Sequence, residues 1–209
     1  MWNALVETLE PRVRSDLEAR MTPRSFDKGR TVVREGDTGK SMAVIDRGHV
    51  LAERVTLDGD IAAVAVLGPD SLVGELALVA DEVRGATVRA LTPVEMRFLP
   101  GLDFAELRRS HPALDQMLIT LLQRRVVRLT DLVMEARHST LEYRVHQQLT
   151  ILGELFDGDI PLTQATLASL TGGTRPTVNS ILQNLVAAGA VELRRGHIIV
   201  KNPDAIGLF

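Results

Sequence analysis

The chain has 209 residues, 45% of them apolar, and a net charge of −3. That leaves room for one large domain or two small ones, and any basic surface must be local. It contains no cysteine, which excludes disulfide frameworks, thiolate zinc sites, cysteine-ligated iron–sulfur clusters and thiol catalysis.

The opening MWNALVETLEPRVRSDLEAR is amphipathic and charged, with no long apolar core or small-residue cleavage site. No window reaches the roughly 18 apolar residues needed to cross a bilayer. A soluble, cytoplasmic protein with no membrane partner is expected, its first 20 residues forming short helices interrupted at Pro11. From about Phe26 to Leu99 the pattern changes to short β-rich runs such as SMAVIDRGHVLAERV and IAAVAVLGPDSLVGE. Glycines punctuate these runs, as in a barrel or sandwich of short strands. TLDGDI (56–61) predicts a hairpin, because Asp-Gly suits the primed two-residue turns.

After Pro112 the residues 113–137 contain neither Gly nor Pro and are dominated by good helix formers. At 1.5 Å per residue such a helix is about 37 Å long. Leu118, Leu122, Val126, Leu129, Leu132, Val133 and Ala136 recur at three- and four-residue steps. One apolar face is expected to meet the barrel and a second to meet a copy of the helix in a homodimer; the plainer alternative packs the helix only on its own chain.

Ser139, three residues before Glu142, predicts a capping box opening the next helix. Further on, Thr163 can cap a helix, Gly172-Gly173 can turn the chain, and Thr174 can cap a second helix with Pro176 in its first turn. Leu167, Leu170, Val178, Ile181, Leu182 and Leu185 supply the inward faces. Arg175, Thr177, Asn179, Ser180 and Gln183 are left outward or at the helix start, the arrangement of a helix-turn-helix. VELRRGHIIV then predicts a hairpin with Arg194 and Arg195 at its tip, a wing suited to a phosphate backbone. Between Thr163 and Lys201 four basic residues face one acid, a local +3 in a chain of −3, which suits a DNA-facing module. A helical hairpin for protein contacts is the alternative.

The remaining motif is GELALVADEVRGATVRA (74–90), where Glu75 and Arg84 stand nine positions apart with small Gly85 and Ala86 behind the arginine. An arginine fork suits phosphate oxygens, and small neighbours let a backbone approach a ligand closely. A plain structural salt bridge between Glu75 and Arg84 is the alternative.

Taken with MAVIDRGHV (42–50) and LTQATLASLTGGTRPTVNSILQNLVAAGAVELRRGHIIV (162–200), this motif resembles the cyclic-AMP receptor protein/FNR family of bacterial transcription regulators over essentially the whole length. The resemblance implies an α+β fold with three parts. A cyclic-nucleotide-binding β-roll, jelly-roll-like, would occupy 1–112, a dimerisation helix 113–138 and a winged helix-turn-helix 139–209. It further implies cyclic AMP as allosteric effector, a homodimer through helix 113–138, a two-fold double-stranded DNA operator, and RNA polymerase as a further candidate partner.

In the family's phosphate-binding cassette the glutamate matching Glu75 accepts from the ribose hydroxyl, and the arginine matching Arg84 pairs with the cyclic phosphate. Backbone around Gly74, Leu76, Gly85 and Ala86 would complete the cradle. Thr130 on the long helix would reach the base, with Arg125 a turn earlier as a further ligand contact or a dimer-surface charge. The DNA contacts implied are Thr163, Thr174, Arg175, Thr177, Asn179, Ser180, Gln183, Arg194 and Arg195.

Several departures are visible, among them Val83 for the proline seen before the arginine in many such cassettes and Ser180 for a later arginine of the recognition helix. Gly85 replaces the usual Ser or Ala, Leu129 stands where a hydroxyl touches adenine, and Arg175-Pro176 replaces an Arg-Glu pair. They keep open a regulator that senses another effector, or none, and binds DNA constitutively. A ligand-gated scaffold with no DNA role is the reading from another class. No metal and no enzymatic activity are expected, since His49 is the one histidine in the β region and cannot build a multi-histidine metal site.

Overall fold

The computed structural model describes residues 1–75 and 83–207, and the chain forms two compact units. The first takes in residues 1–55 and 65–129, the second residues 56–64 and 130–209.

The first unit opens with α1 (Trp2–Val6) and α2 (Pro11–Ala19). Pro11 begins α2, where its missing N–H is harmless. The strands β1 (Thr22–Phe26), β2 (Thr31–Val33), β3 (Ser41–Arg47), β4 (Val50–Val55), β5 (Ile61–Leu67, whose first four residues are counted with the second unit), β6 (Leu72–Val73), β7 (Thr87–Ala90) and β8 (Val94–Pro100) follow. They form two four-stranded sheets, ordered β1-β8-β3-β6 and β2-β7-β4-β5. Ala43, Ile45, Met96 and Phe98 of one sheet share a buried core with Val50, Ala52, Val88 and Ala90 of the other.

Strand β3 shows why its sequence reads as an apolar run rather than a clean alternation. Ala43 and Ile45 point into this inter-sheet core. Met42 and Val44 point the other way, into a second core with Trp2, Leu5, Leu17, Phe104 and Leu114. A strand covered on both faces has no solvent side to mark with polar residues.

The hairpin at 56–61 is present, but its turn is not the primed two-residue type. The Thr56 amide donates to the Asp60 carbonyl at 2.8 Å and the Gly59 amide to the Thr56 carbonyl at 3.0 Å. Gly59 is left-handed at φ +86° while Asp58 is not. A primed type I turn needs both central residues at positive φ, and Asp58 adopts instead the ordinary turn conformation that leads into a left-handed glycine.

Helix α3 (Gly101–Ser110) leads to α4 (Ala113–His138), whose 26 residues span about 39 Å. Leu114, Met117, Leu118 and Leu121 are buried in the helical core, with Leu122 packed against it. Apart from Leu122, most apolar residues on the other face of α4 and toward its C-terminal end are exposed. Ile119, Leu122, Val126, Leu129, Val133 and Ala136 fall at alternating three- and four-residue steps, and Ile119, Val126, Leu129 and Val133 are each more than half exposed. That spacing is the one a coiled-coil seam uses.

The second unit contains α5 (Leu141–Leu155), β9 (Asp159–Ile160), α6 (Gln164–Thr171), α7 (Arg175–Ala187), β10 (Val191–Arg194) and β11 (His197–Val200), then a 3₁₀ turn Pro203–Ile206. The capping box at Ser139 does not form. The Ser139 amide still donates to the Glu135 carbonyl at 2.9 Å, so this residue closes α4 and is not the extended residue a cap requires. Thr140 takes that place, its Oγ1 accepting from the Tyr143 amide at 3.2 Å. Val145, Leu149, Leu152, Ile160, Leu167, Val178, Leu182 and Ile198 are all at most 1% exposed and hold the unit together. No helix among the described residues is long and apolar enough to cross a membrane.

Candidate effector site and nucleic-acid interface

The first site is assembled from three loop ends and one helix. Strand β6 runs straight into Gly74 and Glu75. Gly74 is left-handed at φ +77°, and a Cβ built on it would overlap the Arg84 guanidinium, so only glycine fits both the turn and the neighbour. Arg84 sits just before β7, with its backbone pinned on both sides by the 36–38 loop. Its amide donates to the Asp37 carbonyl at 2.7 Å, and its carbonyl accepts from the Gly36 amide at 2.9 Å.

The Arg84 side chain is half-buried and donates through Nη2 to Ser41 Oγ at 3.2 Å and, weakly, through Nη1 to the Gly74 carbonyl at 3.5 Å. Burial lowers its pKa from the ordinary arginine value, and the charges of Glu75 and Asp37 oppose that shift. Among the described residues no carboxylate reaches ion-pair distance of it. A guanidinium keeps its charge under such conditions, so a partly desolvated cation is held here by neutral acceptors.

Glu75 is 6% exposed and pairs instead with Arg125 of α4, Nε to Oε1 at 3.8 Å. A direct Glu75–Arg84 bridge, the plain structural alternative, is not the arrangement seen. The N–H groups of Gly85 and Ala86 meet no acceptor among the described residues. Gly74, Glu75, Arg84, Gly85, Ala86 and Arg125 therefore belong to one place. Leu76 lies outside the described residues. Thr130 stands exposed on α4 and falls in the second unit. Ser41 and Asp37 were not anticipated, because nothing local in the sequence links them to an arginine more than 40 positions away.

The second site follows the sequence closely. Thr163 caps α6 by accepting from the Thr166 amide at 3.1 Å, and Thr174 caps α7 by accepting from the Thr177 amide at 3.4 Å. Gly172 ends α6 in the left-handed conformation at φ +67°, the usual helix stop. Arg175, Thr177, Ser180 and Gln183 are exposed along α7, with Asn179 part-exposed beside them.

The hairpin β10–β11 turns through Arg195 and Gly196, the glycine left-handed at φ +78°. Arg194 Nε donates to Glu192 Oε1 at 2.6 Å, and Lys201 Nζ lies 3.0 Å from Glu192 Oε2. These two donors hold the Glu192 carboxyl below the usual carboxylate range. One acid thus restrains two of the wing's cations, while among the described residues Arg175 and Arg195 carry no ion pair. Groups of three or more His, Asp or Glu able to hold a metal are likewise absent among the described residues.

Comparison with known proteins identifies two domain families along the chain. The cyclic nucleotide-binding domain family matches residues 23–111, and the Crp-like helix-turn-helix domain family matches residues 127–207. The chain is 32% identical over 181 residues to the cyclic AMP receptor protein of Thermus thermophilus, covering 85% of this chain and 83% of that one. It is 27% identical over 192 residues to the global nitrogen regulator of a Synechocystis species, covering 87% and 85%. A solved structure of the Thermus thermophilus catabolite activator protein aligns with a TM-score of 0.57 at 28% identity, over 97% of this chain and 95% of that one. A cyclic-nucleotide-binding β domain joined through a long helix to a winged helix-turn-helix defines a DNA-binding transcription regulator rather than an enzyme. The chain belongs to the Crp/Fnr family.

Proposed function

We propose that the β domain binds cyclic AMP and that binding governs how the homodimer engages a two-fold DNA site. The observation that carries this reading is the half-buried Arg84 guanidinium, held by Ser41 and the Gly74 carbonyl with no described carboxylate against it. An arginine so placed favours a ligand with paired anionic oxygens, and a cyclic phosphate presents them. In this reading Glu75, paired with Arg125, accepts from a ribose hydroxyl, and the Gly85 and Ala86 amides cradle the phosphate. The relative named as a cyclic AMP receptor supports the choice of nucleotide.

Calorimetric titration tests it. Saturable heat with cyclic AMP, and weaker or no heat with cyclic GMP, is expected; no heat with either contradicts it. A second reading, with another effector, draws support from Leu129. It has no donor for adenine, and a relative of similar identity is named for nitrogen regulation.

Gly85 offers a graded check. Its φ is not left-handed and no atom of the described residues lies within 4 Å of a Cβ built there, so Gly85→Ser should fold unchanged and add one hydroxyl beside the phosphate. Cyclic AMP affinity should rise about 3- to 10-fold, the worth of one added hydrogen bond; a fall would place the phosphate elsewhere.

For the DNA side, α7 is taken to enter the major groove with Arg175 at its leading turn, while the wing rests on phosphates. RNA polymerase remains a candidate partner of the DNA-bound form. Arg175→Ala is expected to lose about 1–3 kcal/mol on a selected site and much less on random DNA, relaxing base preference. Arg195→Ala should weaken both alike and reduce the salt slope by about one. Equal losses on specific and random DNA for Arg175→Ala would remove it from base readout.

The switch is a population shift. Ligand contacts that differ between two orientations of the DNA-binding units favour one of them, by no more than that difference in affinity.

A further inference from the structure

Side chains of the β10–β11 wing alternate between two faces. Val191 and Ile198 turn to the core, 3% and 1% exposed. Glu192 and Arg194 fall on the other face of β10. Lys201, just past β11, is held beside the start of β10 by its amide, which donates to the Ala190 carbonyl at 2.8 Å.

Glu192 is the one acid between Thr163 and Lys201, and both of its oxygens are taken. Oε1 accepts from Arg194 Nε at 2.6 Å, and Oε2 lies 3.0 Å from Lys201 Nζ. The other acid of this sheet, Asp159 in β9, faces His197 instead, Oδ1 to Nδ1 at 2.6 Å.

The side chains of Glu192, Arg194 and Lys201 are between 42% and 59% exposed. Ion pairs this open are weak and screened by salt, so they add little to the stability of the unit. Their larger consequence is electrostatic. Two cations on the face of a DNA-binding wing are folded back onto one carboxylate. A carboxylate offers a guanidinium the same paired anionic oxygens as a phosphate, so the two anions compete for the same donors.

We infer that the Glu192 carboxylate is an internal competitor of the DNA backbone, occupying Arg194 and Lys201 in the free protein and lowering affinity for every DNA sequence alike. This rests on the reading that the wing lies on phosphates. Phosphate contacts carry no sequence information directly, so the effect falls on affinity and salt dependence and leaves base preference to α7. Simple repulsion between Glu192 and the backbone would also weaken binding, but it would not require the two cations.

The test measures the affinity of the full-length protein for a duplex carrying one half-site of the selected DNA, and for a random duplex of equal length, over a range of salt concentrations. Glu192→Gln keeps the shape of the side chain and an acceptor for Arg194 but removes the charge. Its thermal transition should match wild type, because the cluster is exposed. It is expected to bind both duplexes about 3- to 30-fold more tightly at about 0.1 M salt, with a salt slope steeper by about one to two, the number of cations released. With Arg194→Gln and Lys201→Gln also present, the gain from Glu192→Gln should shrink below about 2-fold.

Unchanged affinity and slope in Glu192→Gln overturn the inference. So does weaker binding, which would make Glu192 an aligner of the two cations, and so does a gain equally large without Arg194 and Lys201. Arg195→Ala tests the wing reading separately. A wild-type slope in that variant would overturn the wing reading and this role together. A slope reduced by about one, with Glu192→Gln inert, would overturn this role alone.

Discussion

Arg84→Leu is expected to abolish measurable cyclic AMP binding, a loss of at least about 100-fold, corresponding to roughly 3 kcal/mol or more. Leucine fills much of the volume of the arginine stem but leaves the phosphate without its cation in a partly desolvated place. The removal also strips donors from Ser41 and the Gly74 carbonyl, both of which can turn to solvent or ligand. The fold should survive, because Arg84 makes no ion pair with any described residue and its backbone remains pinned through Asp37 and Gly36. Calorimetry on the folded variant, with its thermal transition as control, reads the result. Unchanged nucleotide affinity would mean that the pocket lies elsewhere.

A charged pair placed on the seam of α4 should have the largest effect on DNA binding. Leu129 and Val133 are 53% and 54% exposed within the single chain and sit one turn apart on the three-four repeat. Leu129→Glu with Val133→Glu would set two carboxylates against their copies across a two-fold axis. Burying such charges without partners is prohibitive, so sedimentation should show a monomer. Since both positions are exposed in the protomer, its thermal stability should change little. Operator affinity should fall by about 10²- to 10⁴-fold with the loss of two-point attachment, while half-site affinity persists. A variant that stays dimeric would assign the seam to another partner.

The helix-turn-helix was legible because its signals are local. Thr163, Gly172, Thr174 and Pro176 each act on a backbone group within four residues, and the structure uses them as expected. Where a local signal failed, a neighbouring element had prior claim. Ser139 carries the right side chain for a cap, but its amide is still engaged by α4, so Thr140 takes the role.

The effector site was legible only in part. Glu75, Arg84 and the small residues stood out as a motif, whereas Ser41 and Asp37 arrive through strand pairing and loop contacts that leave no mark in the sequence. The Glu75–Arg125 pairing depends on how α4 crosses the domain, which a three-four repeat alone does not specify. The turn at 56–60 shows the same limit on a small scale, since Asp-Gly is compatible with more than one hairpin geometry.

The measurement closest to the central claim is the affinity of the protein for its selected DNA site with and without saturating cyclic AMP, at one fixed salt concentration. A gain of about 5- to 150-fold on adding the nucleotide, absent in Arg84→Leu, is the expected result. Equal affinity in both conditions would contradict nucleotide gating and leave a regulator that binds DNA without it.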